Sequence, residues 1–335
     1  MKIAIVGIGG RIASMFAFEL AKKVEILGIG TKESVEKIKS EKIWIKNQKE
    51  FSPLKLKSIE IEDFPKEFWP DFLFLGTKNP VTFPVVFYYQ KLKEKNKGEE
   101  FPALILPQNG ILATKEAKEA LQKLNLENLP IVRMSVFNSL KKVIEGEKEI
   151  IEYSLPLNFA FCASKNFAKF EDLKKLFREC SFEAEEIKSE KMFDMELSKL
   201  FLNLIGMACA AFGLSIKEGF EKEEIFKIEI LALKEFIKAV KKQKNGFLNF
   251  RHYPVKNWSF LFEFLPLSFF LPFRKKIGEM IFKKRGEREK GNLDEINYYN
   301  RAVIELAKRV KIETPYNELI YKKIVGASGL EPETF

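Results

Sequence analysis

Short apolar runs alternate with amphipathic stretches along the first half of the chain. Lys2 to Val6 is an apolar run, and a glycine-rich turn separates it from Ser14 to Lys23, where apolar side chains recur at helical spacing. The apolar pattern returns from Val24 to Ile29. A strand, a glycine turn, a helix and a second strand within about thirty residues predict a βαβ unit and therefore a parallel sheet.

This alternation continues to about residue 188 and then stops. Further strands are predicted at 72–76, 103–106, 131–136 and 182–187, extended segments at 42–61 and 150–161, and helices at 34–40, 87–94, 115–124 and 170–180. Beyond residue 190 the pattern is helical, with helices predicted at 191–212, 221–242, 273–282, 293–310 and 315–325. We therefore predict an α/β N-terminal domain over residues 1–188 and an all-α C-terminal domain over residues 189–335.

Glycines dominate the turn after the first strand. Gly7, Gly9 and Gly10 stand between a strand and a helix, where backbone N–H groups can approach a pyrophosphate and the positive helix end favours its charge. Ile12 takes the third small position of a dinucleotide-binding turn if counting begins at Gly7, whereas Ala13 takes it if the turn holds one extra residue. A tight turn without a ligand is the alternative. The position at the start of a βαβ unit favours dinucleotide binding, and hence a Rossmann-like domain.

The end of the second strand lacks the acidic residue that would hold an adenosine ribose. Thr31 and Lys32 follow Ile29 and Gly30 there. One hydroxyl and one cation suit a 2′-phosphate, which favours NADPH over NADH. The alternative is that Lys32 is a solvated lysine at the start of a helix. Arg11, inside the glycine turn, is a further candidate for a phosphate contact.

Polar residues follow two more predicted strands. Lys78 comes after the strand at 72–76, and Asn109 comes after the strand at 103–106. Ligands bind at the carboxyl ends of parallel strands, so we expect these residues to converge on a ligand. Because Asn109 and Gly110 also form a favoured turn dipeptide, a turn alone is the alternative.

Lys199 and Asn203 are four residues apart on a predicted helix that is otherwise mostly apolar. This spacing places the ammonium and the amide on one helical face. Burial there would lower the pKa of Lys199 and make it a usable proton donor near neutral pH. A lysine that snorkels from the helix edge is the alternative. Glu295 is by itself an ordinary helical acid.

The composition of the 335 residues limits the chemistry. The single histidine, His252, excludes multi-histidine metal sites, and no metal is expected. The three cysteines match neither zinc nor redox spacing, so we interpret them as small apolar residues in a reducing cytoplasm. The first apolar run ends at Gly7, too early for a secretory signal, and no targeting peptide is expected.

The formal net charge of +10 raises the alternative of a nucleic-acid-binding protein. Lysines alternate with glutamates and no recognition module is apparent, so no nucleic acid partner is expected. Residues 258–273 hold six phenylalanines before a basic run at 274–276, but the stretch is shorter than the about 20 residues that span a bilayer. We expect no integral membrane segment, and we favour a helical hairpin or a loop packed on the core, or on a second subunit in a homodimer, over docking at a membrane surface.

Taken together, these segments resemble the ketopantoate reductase family. The resemblance covers nearly the whole chain and rests on the order and spacing of six segments: the glycine turn running into residues 13–17, Thr77-Lys78, Gln108-Asn109-Gly110, Lys199 with Asn203, residues 295–300, and Thr314-Pro315-Tyr316-Asn317. It implies a Rossmann domain, a helical substrate and catalytic domain, and NADPH-dependent reduction of a small 2-oxo acid to a 2-hydroxy acid. The expected reaction is ketopantoate to pantoate, in pantothenate and coenzyme A biosynthesis.

The resemblance also implies roles for individual residues. Lys199 would be the general acid that protonates the ketone oxygen, and Glu295 would hold the substrate's hydroxyl and help fix Lys199. The substrate-binding residues would be Asn203, Asn300 and Asn109. The cofactor-binding residues would be Gly7, Gly9, Gly10, Arg11, Ile12, Thr31, Lys32, Lys78 and Asn109.

Two departures from the family pattern concern substrate identity. Met207 stands one turn after Asn203, where the family often has a second asparagine. A charged segment at 284–292 replaces the serine-containing segment expected before Glu295. Two alternatives therefore stay open: a reductase of a different 2-oxo acid, and a non-catalytic NADP-binding regulator.

Overall fold

The computed structural model describes residues 1–64, 68–285 and 295–328. The chain divides into two compact units. The first holds Met1–Gln108 together with Ala113–Met192, and the second holds Asn109–Leu112 together with the chain from Phe193 onward.

Strands and helices alternate in the first unit. Its strands are β1 (Lys2–Val6), β2 (Glu25–Gly30), β3 (Ile43–Lys46), β4 (Phe51–Pro53), β5 (Lys57–Glu60), β6 (Phe72–Leu75), β7 (Ala103–Leu106), β8 (Ile131–Val136), β9 (Leu140–Glu145), β10 (Lys148–Tyr153), β11 (Asn158–Ala163) and β12 (Glu183–Glu186). Its helices are α1 (Arg11–Leu20), α2 (Lys32–Lys39), α3 (Thr82–Lys95), α4 (Ala113–Gln122) and α5 (Ala168–Glu179). The pattern predicted no strand at β9, whose side chains are mostly exposed and which pairs with β10 as an antiparallel hairpin.

Eight strands form the main sheet, in the order β12-β11-β8-β7-β6-β1-β2-β5. The six strands from β5 to β8 in this order are all parallel, whereas β11 runs antiparallel to β8. A second sheet, β4-β3-β10-β9, has four strands. The order reverses on either side of β1, which is the switch point where doubly wound sheets bind ligands. The predicted α/β fold of this region is confirmed.

The central strands are buried on both faces, as expected for a parallel sheet covered by helices. All four residues of β6 are buried. Phe72 and Phe74 face a core that includes Phe16 of α1, whereas Leu73 and Leu75 face a second core. A strand buried on both faces reads as a continuous apolar run, which explains why the sequence pattern located β6 correctly.

Asp71 joins the amino ends of β1 and β6. Its carboxylate accepts a hydrogen bond from the Lys2 backbone N–H at 2.8 Å and pairs with the Lys169 ammonium at 3.1 Å. Burial opposes ionisation, but these two hydrogen bonds and the charge of Lys169 outweigh it and lower the pKa of Asp71.

Because the folded state lowers the pKa of Asp71, its contribution to stability is present above the unfolded pKa of about 3.9 and is lost as pH falls through the lower, folded value. We expect Asp71→Asn to reduce the free energy of unfolding at pH 7 by about 1 kcal/mol, and to have a much smaller effect near pH 3. Urea unfolding at both pH values measures the difference. Asp63→Asn, at an exposed position, is the control, and an effect of Asp71→Asn that does not shrink at low pH would contradict the assignment.

The second unit is helical. Its helices are α6 (Met192–Leu204), α7 (Met207–Ala211), α8 (Ile216–Glu221), α9 (Glu223–Lys242), α10 (Val255–Phe264), α11 (Leu267–Phe270), α12 (Arg274–Arg285), α13 (Asn300–Lys308) and α14 (Pro315–Ser328). The predicted all-α fold of the C-terminal region is confirmed.

Two helix predictions in this unit were wrong in detail. The predicted helix at 191–212 is broken between α6 and α7, where Gly206 adopts a left-handed φ of +91°. In the predicted helix at 293–310, residues 295–298 form a 3₁₀ turn and α13 begins only at Asn300. Residues 286–292 of the segment that departs from the family pattern lie outside the described residues.

Within the described ranges, no helix is both long and apolar enough to cross a membrane. None of the three cysteines, all of which the structure describes, forms a disulfide; Cys162 and Cys209 are buried, and Cys180 is half-buried.

Candidate functional site

The glycine turn closes tightly over the carboxyl ends of β1 and β2. Gly7 has a φ of +77°, and its N–H and that of Ile8 donate to the Ile29 carbonyl at 2.8 and 3.2 Å. Gly10 N–H donates to the Gly7 carbonyl at 2.7 Å, and α1 begins at the next residue. The first turn of α1 carries no acidic residue, so the positive end of this helix stays available to attract an anion.

Close packing explains why small residues occupy this turn. A Cβ on Gly9 would lie 2.4 Å from Ser34 Oγ, and a Cβ on Gly7 would lie 3.1 Å from the Gly76 backbone. A Cβ on Gly76 would lie 2.6 Å from the Cβ of Ala13. Ala13, rather than Ile12, therefore supplies the small residue where α1 approaches the end of β6. This backbone cradle has the properties that a dinucleotide pyrophosphate needs.

We expect Gly76→Ala to lower the free energy of unfolding by about 1–3 kcal/mol and to weaken nucleotide binding, because the added Cβ would meet both the Cβ of Ala13 and the Val6 carbonyl at 2.8 Å. Thermal unfolding and fluorescence titration with NADPH measure the two effects. Gly326→Ala is the matched control, since a Cβ there meets nothing within 4 Å. Equal behaviour of the two variants would argue against the close approach of α1 and β6.

Two hydroxyls meet at the end of β2. Thr31 caps α2, its Oγ1 accepting from the Ser34 backbone N–H at 3.3 Å, and the Thr31 and Ser34 hydroxyl oxygens are 3.1 Å apart. Thr31 and Lys32 are exposed. Sequence reasoning missed Ser34; the signal that could have revealed it is a second hydroxyl three residues after an N-cap threonine.

Gln108 and Arg133 fix the ends of β6 and β7. Gln108 Nε2 donates to the Leu75 carbonyl at 2.6 Å and to the Thr77 carbonyl at 3.1 Å. Arg133, which is 1% exposed, donates to the Gln108 carbonyl at 2.6 Å and to the Leu106 carbonyl at 2.8 Å. The predictions missed Arg133, although a lone charge in an apolar strand is a signal for such a role. Lys78 is exposed directly after this fixed strand end. Arg11, across the turn, reaches the Leu140 carbonyl at 3.4 Å.

Lys199 and Asn203 are both half-buried on α6, and their spacing of four residues places them on the same face of this helix, as predicted. The helix is anchored by its neighbours. Ser198 Oγ accepts from the Leu248 N–H at 2.7 Å, and Asp194 Oδ1 accepts from the Gly246 N–H at 3.0 Å. These bonds fix the rotation of α6 and hence the direction in which Lys199 and Asn203 project.

Glu196, which the sequence analysis did not select, is only 3% exposed. It precedes Lys199 by three residues and Asn203 by seven, so the three side chains share one helical face.

A buried glutamate caps the break that follows α6. Glu229 on α9 is 2% exposed, and its carboxylate accepts from the Gly206 N–H at 2.6 Å and from the Ala208 N–H at 2.9 Å. The cap begins at Gly206, two residues after Leu204, where α6 ends, and three residues after Asn203. Met207, at the position where a second asparagine was expected, is fully buried.

Glu295 and Asn109 lie together in the second unit. The Glu295 carboxylate accepts from the Tyr299 hydroxyl at 2.8 Å and from Asn109 Nδ2 at 3.3 Å. Gly110 has a φ of +88° and approaches the backbone of Tyr298 so closely that a Cβ would lie 2.8 Å from its carbonyl oxygen. The turn dipeptide thus serves a second purpose, because it brings the Asn109 amide to a carboxylate 186 residues away.

Asn300 occupies a different kind of environment. It is fully buried and donates to Asn317 Oδ1 at 3.0 Å, while Asn317 Nδ2 donates to the Ala232 carbonyl at 2.9 Å. A substrate contact by Asn300 would require these helices to separate. Its hydrogen bond connects α13 to α14, and Asn317 in turn connects α14 to α9.

Glu235 closes this network at the start of α14. Its carboxylate accepts from the backbone N–H groups of Tyr316 and Asn317 at 2.9 and 3.0 Å. Burial raises the pKa of Glu235, and the hydrogen bonds from Tyr316 and Asn317 oppose the rise. The Thr314-Pro315-Tyr316-Asn317 motif is therefore a helix start held by a carboxylate from α9.

Comparison with known proteins bears on the helical unit first. Residues 191–327 match the family described as ketopantoate reductase PanE/ApbA C terminal. The C-terminal region of this chain belongs to the ketopantoate reductase family. The matched residues include Lys199, Asn203 and Glu295, and the family's members are oxidoreductases that act on CH–OH groups.

Solved structures show the same fold over the full length. The chain is similar to a PanE/ApbA family ketopantoate reductase from Ralstonia eutropha JMP134, with a TM-score of 0.72, 14% identity and 97% of each chain covered. A D-mandelate dehydrogenase solved with NADH and anilino(oxo)acetate gives a TM-score of 0.68 at 18% identity, with 98% of each chain covered. The 2-dehydropantoate 2-reductase from Methylococcus capsulatus gives 0.68 at 13% identity, with 99% of each chain covered. No curated protein matches the chain in sequence.

The structure therefore presents two groups of candidate residues, each built within its own unit. The first unit carries the glycine cradle, Thr31, Lys32 and Lys78, and the second carries Lys199, Asn203, Asn109 and Glu295. In the described part of the chain, no cluster of three or more histidine, cysteine or acidic side chains could hold a metal ion.

Proposed function

We propose that this chain is an NADPH-dependent reductase that converts a 2-oxo acid to a 2-hydroxy acid, with ketopantoate as the first candidate substrate. The observation that carries the proposal is the Asn109–Glu295 pair in a helical unit of the ketopantoate reductase family. This pair presents an amide and a carboxylate, and Lys199 with Asn203 presents an ammonium and an amide on α6. Together they supply the groups that a hydroxylated 2-oxo acid would engage.

The chemistry divides simply between cofactor and protein. A bound nicotinamide supplies the hydride for the carbonyl carbon. The residues of the chain must then deliver one proton to the carbonyl oxygen, and Lys199 is proposed as the donor. Its ammonium also stabilises the negative charge that develops on this oxygen. Glu295, fixed by Tyr299 and Asn109, would accept a hydrogen bond from the substrate's hydroxyl.

The cofactor proposal rests on the end of β2. Thr31, Ser34 and Lys32 offer two hydroxyls and one ammonium there, and residues 29–32 at the carboxyl end of β2 include no carboxylate that would repel a 2′-phosphate. The cradle of Gly7, Gly9 and Gly10, with Arg11 and Ile12 opening α1, would hold the pyrophosphate. We therefore expect a lower KM for NADPH than for NADH.

A second substrate class is supported by Met207. This fully buried thioether replaces a polar group, and one structure of similar fold is a mandelate dehydrogenase. A 2-oxo acid with an apolar substituent in place of the hydroxymethyl group of ketopantoate would need fewer polar contacts. With such a substrate the reaction would still be the reduction of a 2-oxo acid, but Glu295 would contribute less to substrate binding.

The deciding experiment follows the oxidation of NADPH and NADH at 340 nm with ketopantoate, 2-oxoisovalerate, benzoylformate and pyruvate. Turnover with ketopantoate as the best substrate supports the first candidate, and a preference for benzoylformate or 2-oxoisovalerate supports the second. Nucleotide binding without turnover of any 2-oxo acid would instead identify a regulator and overturn the proposal.

We expect Glu295→Gln to raise KM for ketopantoate by about tenfold or more while leaving the Kd of NADPH nearly unchanged, because a charge-assisted hydrogen bond to the substrate is lost. Steady-state kinetics and fluorescence titration separate the two effects. Glu313→Gln, an exposed acid in the same unit, is the control. Parallel losses of substrate and nucleotide affinity would refute the assigned role.

A further inference from the structure

A group of large apolar side chains is exposed on α10 to α12. Six of the eleven large apolar residues that are exposed in the described ranges lie between residues 260 and 280. We call them the Phe face: Phe260, Leu261, Phe264, Phe269, Phe273 and Met280, which are 46–62% exposed. Monomeric proteins rarely expose apolar groups in such a concentration without a binding role.

Ring contacts connect the Phe face to itself and to the core. Phe260 and Phe264 pack with their centroids 4.5 Å apart on α10, and Phe269 and Phe273 pack at 5.9 Å. The inner rings of Phe262 and Phe270, 5.1 Å apart, join α10 to α11. These contacts hold the exposed rings on a preformed surface.

Basic residues are frequent in the stretch of chain that carries the Phe face. Residues 255–285 hold seven basic and two acidic side chains, so this stretch of 31 residues accounts for half of the net charge of +10. Lys256, Lys275, Lys276 and Lys283 are exposed. One of the two acids, Glu263, is paired with Lys241 of α9. The stretch of chain that carries the Phe face therefore has a net charge of +5.

The positive charge of this stretch indicates which kind of partner would bind the Phe face. A second copy of this chain would bring an equally positive surface against the first, which costs free energy when the charges are brought close. An anionic lipid surface attracts the lysines and accepts the phenylalanines at the boundary between headgroups and acyl chains. Single-stranded nucleic acid also combines negative charge with stacking, but Leu261 and Met280 offer no ring on which a base could stack.

We propose that the Phe face docks this protein on the surface of an anionic lipid bilayer. The rings and Leu261 enter the interface, and the lysines contact lipid phosphates from the rim. This attachment is peripheral and independent of the reductase activity proposed above.

Co-sedimentation with vesicles tests the proposal on the full chain. We expect binding to phosphatidylcholine vesicles that contain 30% phosphatidylglycerol, and little binding to phosphatidylcholine alone. The triple variant Phe260→Ser, Phe264→Ser, Phe269→Ser should lower the partition coefficient by at least about tenfold. Phe83→Ser on α3, where the phenylalanine is 72% exposed, is the matched control and should bind as the wild type does. Circular dichroism verifies that each variant is folded.

Reversal of the charge of lysines in this stretch tests the electrostatic part of the proposal independently. Lys275→Glu with Lys276→Glu should lower the partition coefficient by at least about tenfold, whereas Lys118→Glu with Lys123→Glu on the α4 side of the first unit should have a smaller effect. Absence of wild-type binding to anionic vesicles, or undiminished binding of the triple Phe variant, would overturn the proposal. So would a dimer in sedimentation velocity that the triple Phe variant dissociates, or displacement from vesicles by stoichiometric oligo-dT.

Discussion

Replacing Lys199 with alanine is expected to lower kcat for 2-oxo acid reduction by about 10²- to 10⁴-fold, the range that a positioned general acid contributes. The ammonium would both protonate the developing alkoxide and stabilise its charge, so its loss should reduce kcat and kcat/KM together. The Kd of NADPH should change little, since the glycine cradle lies in the other unit. Stopped-flow measurement of NADPH oxidation under single-turnover conditions would isolate the chemical step.

Two further variants make this prediction specific. Lys217→Ala removes an exposed lysine of the same unit and should leave kcat unchanged. Lys199→Arg retains the positive charge but is a far weaker acid, so it should recover substrate binding more than turnover. If Lys199→Ala keeps the wild-type rate, general acid catalysis by this lysine is refuted.

Replacing Glu229 with alanine is expected to reduce the free energy of unfolding by about 3 kcal/mol. The variant leaves the N–H groups of Gly206 and Ala208 buried without the carboxylate that accepts both. Because the same carboxylate holds the break after α6, KM for the 2-oxo acid should also rise. Urea unfolding and steady-state kinetics measure the two consequences.

A graded series separates a capping role from general loss of packing at this position. Glu229→Gln keeps one acceptor oxygen and should lose less stability than Glu229→Ala. Glu224→Ala removes an exposed carboxylate from the first turn of the same helix and should cost about 0.5 kcal/mol. Equal stability losses for Glu229→Ala and Glu224→Ala would show that the cap is unimportant.

The local pattern of apolar and polar positions was sufficient to predict most of the strands and helices. The apolar runs at β1, β6 and β7 and the amphipathic stretches at α1 and α9 predicted the elements, because side-chain periodicity reports which face an element buries. The exposed hairpin strand β9 was not predicted, because few of its positions follow an apolar pattern. The break between α6 and α7 at Gly206 was not predicted, because a helix ordinarily tolerates a single glycine.

The roles of buried charged residues could not be predicted from the sequence. Arg133 and Glu229 look in sequence like ordinary charged residues of a strand or helix. Their environment depends on which elements pack around them, and an unpaired buried charge would be too costly to persist. The network that each one serves therefore became visible only in the folded chain.

The sequence by itself determined the fold class and brought forward Lys199, Asn203 and Asn109 as candidates, because strand ends and helical faces follow from periodicity along the chain. Glu295 became a candidate only through the resemblance to the ketopantoate reductase family. Only the tertiary structure decided that Asn109 meets Glu295, that Asn300 is sealed between helices, and that Ala13 supplies the small residue beside Gly76. The physical reason is that these facts concern elements far apart in sequence. Their contacts depend on close packing in three dimensions, which no local pattern encodes.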